Sequence, residues 1–227
     1  QTERMIAEGA DIIDIGGEST RPGYTLLSDE EEISRVVPVI SAIKERFDIP
    51  TSIDTYKSKV AQAAIQAGAD MVNDIWGFKH DPEVAAYTAK YNAACCLMHN
   101  RNEALYKDFQ NDFLMDMQEC VNIAQNAGIA DDKIMLDPGV GFGKTYEMNL
   151  EIINHMEIMH KLGYPILLGT SRKSVIGLTL DLPTDQRVEG TLVTTVMAVI
   201  KGSSFVRVHD IKENYRTIKM TEAILSR

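Results

Sequence analysis

The chain has 227 residues, room for one barrel or at most two small domains around a large core. Hydrophobic residues make up 44%, and 23 basic against 33 acidic residues give a formal net charge of -10. That balance excludes a general nucleic-acid binder, whose footprint is basic, and leaves open an anionic small molecule held by a local basic cluster.

Taken in order, residues 1–8 read as the end of a helix stopped by Gly9. Residues 10–15 are the first strand candidate. Ser28 with Glu31 forms a capping box, and Ile33, Val36, Val37, Ile40, Ile43 and Phe47 then make one apolar stripe. Pro38 lies inside that helix and is expected to kink it. A strand at 51–54 precedes a helix at 56–67 that stops at Gly68. Strands follow at 71–75 and 93–98, then a helix at 108–127 closed by Gly128. The strand at 133–137 leads to a helix at 147–162, closed by Gly163. A strand at 165–169 is followed by a helix at 187–201, closed by Gly202. The strand at 205–208 runs into a last helix, capped by Asp210 with Glu213, whose inner side carries Ile211, Tyr215, Ile218 and Ile224.

Most of these strands are nearly all apolar, as expected where both faces are covered. Seven strands and eight helices are an α/β pattern that predicts a (β/α)8 TIM barrel. Such a barrel starts with a strand, so the parity places the beginning of this chain inside the first helix, with strand 1 and its loop absent. No linker or low-complexity stretch divides 1–227, which is expected to be a single domain. An open doubly wound sheet is the competing arrangement. Cys95, Cys96 and Cys120 are odd in number and lack metal spacing, so they read as reduced core thiols. No run approaches the roughly 18 apolar residues of a membrane helix, and no signal peptide is read; a cytoplasmic location is expected.

Barrel enzymes assemble their sites at the C-terminal strand ends, and here those ends are polar. They carry Asp14; Asp54; Asn73 and Asp74; His99 and Arg101; Asp137; Thr170, Ser171, Arg172, Lys173 and Ser174; and Arg207 and His209. One such residue is most often a cap or an ion-pair partner; seven polar endings on one rim point to a site. Carboxylates and amides at Asp54, Asn73 and Asp137 suit the donor edge of a flat amino-substituted heterocycle. The cations Arg21, Arg172, Lys173, Arg207 and His209 suit phosphate oxygens or stacking on a ring. The glycine-rich run 139–145 imitates a phosphate-binding P-loop but has three residues where that motif needs four. It reads instead as backbone brought close to a flat ligand.

Together these strand ends resemble the dihydropteroate synthase family over essentially the whole length. The motifs are DIGGESTRPG (14–23), SIDT (52–55), VNDI (72–75), MH (98–99), LDPGVGFGK (136–144), GTSRKS (169–174) and VRVHD (206–210). The resemblance implies a transferase of folate biosynthesis, joining a dihydropterin hydroxymethyl diphosphate to 4-aminobenzoate and releasing diphosphate. It implies that Asp54, Asn73, Asp137, Phe142, Lys173 and Arg207 hold the pterin. Thr20, Arg21, Pro22, Ser171, Arg172, Ser174, Arg207 and His209 would serve the aminobenzoate and diphosphate, and Asp54, Asp137, Lys173, Arg207 and His209 would carry the chemistry. It also implies Mg2+ accompanying the diphosphate, sulfonamides as aminobenzoate analogues, and a homodimer through helices of the C-terminal part. Family members begin with a strand and a loop whose Asn contacts the metal. Neither is in this chain, so no metal ligand is assigned here and pterin binding with poor turnover is expected. A methyltetrahydrofolate:corrinoid-protein methyltransferase shares the pterin-holding acids, but Arg21, the 171–174 segment and the Arg207/His209 pair favour the synthase. A non-catalytic pterin-binding module is the third possibility.

Overall fold

The computed structural model describes residues 1–19 and 26–227. Its strands are β1 (Ile13–Gly16), β2 (Thr51–Asp54), β3 (Met71–Asp74), β4 (Ala94–Met98), β5 (Ile134–Asp137), β6 (Leu167–Leu168) and β7 (Phe205–Val206). The helices are α1 (Thr2–Ala7), α2 (Asp29–Arg46), α3 (Ser58–Gln66), α4 (Glu83–Lys90), α5 (Phe109–Asn126), α6 (Tyr146–Asn154), α7 (Ser174–Leu180), α8 (Val188–Ile200) and α9 (Ile211–Leu225). The strands pair in parallel in the order β1-β2-β3-β4-β5, and β6 pairs with β7. A parallel bridge from Leu136 to Ile166 joins the two groups, so all seven follow sequence order around a TIM barrel.

The expected strands are all present: β2 has the expected bounds, β1 starts later and runs to Gly16, and the other five are shorter. Nine α-helices stand among the described residues where eight were expected. The extra one, α7, lies in the loop after β6; its SVIGLTL sequence is too short to show a helical period. The expected helix at 147–162 divides into α6 and a 3-10 segment at Met156–Leu162, which ends at Gly163 in the left-handed region. In α2, Ser28 Oγ accepts from the Glu31 amide, the capping box read from the sequence.

Alternation along the strands separates two layers. One face of each strand supplies Ile13, Ile15, Ile53, Val72, Cys95, Leu97, Ile134, Leu136, Ile166 and Leu168 to the core beneath the helices. The opposite face points into the barrel. There Met71, Cys96, Met135 and Leu167 pack with Ala94 and Phe205 as an apolar plug. Two residues further along the same face come Asn73, Asp137 and Arg207, with Asp54 in register with Asn73. The period of two thus lifts the polar residues onto the plug at the C-terminal rim. Among the described residues, β1 and β7 are the edges and do not pair with each other. No helix there is long and apolar enough to cross a membrane.

Candidate active site

Arg207, just beyond β7, reaches across the barrel mouth. Its Nε lies 2.6 Å from Asp14 Oδ2 and its Nη2 2.8 Å from Asp54 Oδ2, which ties the rims of β1, β2 and β7 together. The two carboxylates hold the guanidinium firmly protonated. Asp54 is pushed upward by burial and by the adjacent Asp14 charge, against the pull of Arg207. The other Asp14 oxygen, Oδ1, is buried without a partner, as is Oγ of Ser52, its register neighbour on β2. A buried acceptor of this kind is costly until a ligand or water donates to it.

Asp137 ends β5, where Oδ1 accepts from the Gly139 amide at 2.7 Å. Burial raises its pKa and Lys173 opposes the rise. Lys173, at the start of α7, donates to the Val140 carbonyl at 2.6 Å and stands 5.0 Å from the centre of the Phe142 ring. Burial pushes its pKa down to about 8, partly offset by Asp137. Gly169 lies between these groups. A Cβ there would lie 3.4 Å from Asp137 Oδ2 and 3.9 Å from both Lys173 Nζ and Arg207 Cβ. The bare backbone is therefore met by a carboxylate, an ammonium and a guanidinium stem, with room for no more than a methyl group in ordinary contact.

The segment after β6 is held from behind. Ser171 Oγ lies 2.9 Å from His209 Nδ1 and accepts from the His209 amide at 3.1 Å. Arg172, in the left-handed region at φ 57°, pairs with Asp210 through Nε at 2.9 Å. Its guanidinium is therefore engaged on α9 rather than aimed at Asp54 and Asp137. Arg187 of the α8 N-terminus donates to the Arg172 and Lys173 carbonyls. Ser174 is exposed at the first turn of α7.

The structure thus brings together Asp54, Asn73, Asp137, Lys173, Phe142 and Arg207, with Ser171 and His209 beside them. Thr20, Arg21 and Pro22 lie outside the described residues. His99 and Arg101, read as rim residues, instead face α5: His99 is fully buried with Nε2 2.9 Å from Asp116, and Arg101 Nε lies 2.6 Å from the same carboxylate. Asp74 is turned from the barrel, accepting from the Trp76 and Phe78 amides. Asp14 was read as a polar strand end but given no role toward the ligand, and Gly169 was not singled out. Asp14 shares its strand face with Gly16, level with Asp54, and Gly169 follows β6 on the inward parity. That parity was the available signal. The glycine-rich run is no P-loop: Lys144 turns back onto the loop's own carbonyls of Gly139 and Phe142, each at 3.0 Å, where a P-loop lysine reaches phosphate.

No three His, Cys, Asp or Glu side chains assemble as a metal cage among the described residues. The described rim residues are carboxylates, an amide and cations, groups of the kinds that suit a planar, donor-rich ligand with an anionic end. The model of the pterin-binding enzyme family matches residues 1–209. A dihydropteroate synthase of Clostridium beijerinckii is 62% identical over 226 residues, 99% of this chain and 84% of that protein. The crystal structure of a Clostridium difficile dihydropteroate synthase, determined with pteroic acid, superposes with a TM-score of 0.97 at 47% identity, covering 100% of this chain and 86% of the other. That of Xanthomonas albilineans dihydropteroate synthase with 4-aminobenzoic acid gives a TM-score of 0.95 at 36% identity, covering 100% and 83%. The chain belongs to the pterin-binding enzymes and, within them, to the dihydropteroate synthase family.

Proposed function

We propose that this chain condenses 6-hydroxymethyl-7,8-dihydropterin diphosphate with 4-aminobenzoate, giving 7,8-dihydropteroate and diphosphate. The observation that carries the reading is the convergence of Asp137, Lys173 and Arg207 around the bare backbone of Gly169. Asp137, Asn73 and Asp54 accept from the pterin donor edge, Lys173 donates to a pterin acceptor, and the Arg207 guanidinium faces the ring. Arg207 and His209 neutralise the diphosphate as its C–O bond lengthens. The methylene then carries positive charge conjugated with the pterin, beside the carboxylates of Asp54 and Asp137. The aminobenzoate nitrogen attacks that carbon, a C–N bond forms, and the anilinium proton leaves to solvent or diphosphate. Catalysis is positioning and electrostatics, with no covalent enzyme intermediate. Thr20, Arg21, Pro22, Ser171, Arg172 and Ser174 form the aminobenzoate and diphosphate side.

Magnesium is inferred as the counter-ion that the diphosphate brings, held mainly by phosphate oxygens and water. Residues 1–227 act as one pterin-binding domain in the cytoplasm, a reading that suits three free, buried cysteines. A homodimer is inferred through the C-terminal helices. Its support is the apolar exposure of Val193 (63%) and Ile200 (52%) on α8 and of Met220 (63%) and Ile224 (61%) on α9. Pyrophosphate release that requires both substrates is the expected result of a coupled assay. Pterin binding without release in any condition would assign the chain to a non-catalytic role. Release of no pyrophosphate with methyl transfer to a corrinoid would select the methyltransferase reading.

A further inference from the structure

Three buried or enclosed ionisable side chains, Lys144, His99 and Asp116, lie behind the site. Lys144 places Nζ among three acceptors: the carbonyls of Gly139 and Phe142, each at 3.0 Å, and His99 Nδ1 at 2.8 Å. The Asp116 carboxylate can only accept, so the His99 ring proton lies on Nε2 and is donated to Asp116 at 2.9 Å, which leaves Nδ1 as an acceptor for Lys144, whose pKa burial pushes down to about 7. Arg101 holds Asp116 from the other side through two nitrogens, at 2.6 and 3.1 Å. The donor directions are therefore fixed along the whole chain from α5 to the loop.

The object held is the loop that follows β5. Other groups of the loop are bonded too: the Gly143 carbonyl accepts from Tyr106 at 2.7 Å, the Gly141 amide donates to Asn149 at 2.6 Å, and the Val140 carbonyl accepts from Lys173. The loop thus fixes both the Phe142 ring and the Lys173 ammonium.

We propose that Lys144 is a positioning residue, oriented by the Asp116–His99 pair, which sets the Gly139–Gly143 loop and through it the placing of Phe142 and Lys173 for the pterin. The proposal deepens the pterin reading above and rests on it. A histidine here has two distinguishable duties. Asn places an oxygen where Nδ1 stood and keeps the Lys144 bond; Gln places an amide where Nε2 stood and keeps only the Asp116 bond.

Titration calorimetry with pteroic acid on the whole chain separates them. Lys144→Met and His99→Gln each lose about tenfold or more in affinity, the effect of one charge-assisted hydrogen bond, while His99→Asn stays within about threefold of the parent. A residue that merely packs would be harmed alike by Asn and Gln. Hydrogen exchange of the Gly141 and Phe142 amides, measured without ligand, speeds up in Lys144→Met and His99→Gln only. Lys144→Gln takes the place of Lys144→Met if the latter does not melt cooperatively. Parent-like affinity and parent-like loop exchange in a folded Lys144 variant overturn the proposal, as does His99→Asn behaving like His99→Gln. If the parent chain binds no pteroic acid, the pterin reading falls, and the exchange rates still decide the role of Lys144 in the loop.

Discussion

At Gly169 a single methyl group would come into contact with Asp137, Lys173 and Arg207 at once. Its backbone is not in the left-handed region, and the contacts a Cβ would make, at 3.4 to 3.9 Å, are ordinary van der Waals distances. Gly169→Ala is therefore expected to leave the unfolding free energy within about 1 kcal/mol of the parent, since an alanine also restricts the unfolded chain. The methyl group nonetheless occupies the space against Asp137 Oδ2, so the KM for the pterin substrate should rise severalfold or more with an unchanged melt. Asp137→Asn is the complementary change. It retains an oxygen for the Gly139 amide but loses the charge opposite Lys173 and two-oxygen acceptance from the ligand. Hydrogen bonds to charged groups contribute about 1.5–3 kcal/mol, so pteroic acid affinity should fall by about 10- to 100-fold. Calorimetry giving near-normal affinity would remove Asp137 from the pterin site.

Between elements, the tie that joins β1, α2 and α3 is ionic. Lys57 Nζ lies 2.8 Å from Glu18 Oε2, 2.8 Å from Glu32 Oε2 and 2.9 Å from the Leu27 carbonyl, and the Tyr56 hydroxyl donates to Glu18 Oε1 at 2.8 Å. The glutamates are almost entirely enclosed, with 3% and 2% of their side chains exposed. Burial opposes the charge on Glu18, yet the bonds from Lys57, the Leu27 amide and Tyr56 hold its pKa below the ordinary value. Lys57→Met leaves two buried carboxylates facing each other and should cost about 3–5 kcal/mol in urea unfolding. The sequence offered no warning of this cluster, because Glu18, Glu32 and Lys57 are brought together only by packing. Pro38 was visible, by contrast, and α2 runs through it without ending. It stands on the exposed face, so the Ser34 carbonyl that loses its helix amide is open to solvent. Pro38→Ala restores a helix amide and should add about 1–3 kcal/mol, read as a higher melting temperature.

Across the whole molecule, the inward rim was legible because β-strand parity is a strict rule: one face of each strand packs against the helices, and on β1, β2, β3, β5 and β7 the other face leads to Asp14, Asp54, Asn73, Asp137 and Arg207. What lay outside that rule was less legible. His99 and Arg101 extend past β4, where parity no longer governs direction, and α5 supplies the Asp116 that turns them away from the site. That diversion has a consequence for acid stability. Burial pushes His99 down to about 4 from 6.5, against the Asp116 hydrogen bond, and Asp116, paired with His99 and Arg101, lies well below the usual carboxylate range. For His99 the unfolded chain binds a proton between pH 6.5 and about 4 while the folded chain does not, so stability falls as pH drops through that window. For Asp116 the stabilising charge is present above its unfolded value of 3.8 and is lost as pH falls below it. Both act in the same direction, in successive windows. The His99 share is roughly 3 kcal/mol, from about 1.4 kcal/mol per pH unit. Asp54 works oppositely, since a raised carboxyl takes up a proton on folding and gains stability with acid, so the net curve of the parent does not isolate His99. The difference between parent and His99→Asn does. Urea unfolding at pH 6.5 and at pH 4.5 should show the parent losing most of that roughly 3 kcal/mol relative to the variant, which has no imidazole to protonate. Parallel losses in the two proteins would mean that His99 titrates normally and that its ring is not sealed between Asp116 and Lys144.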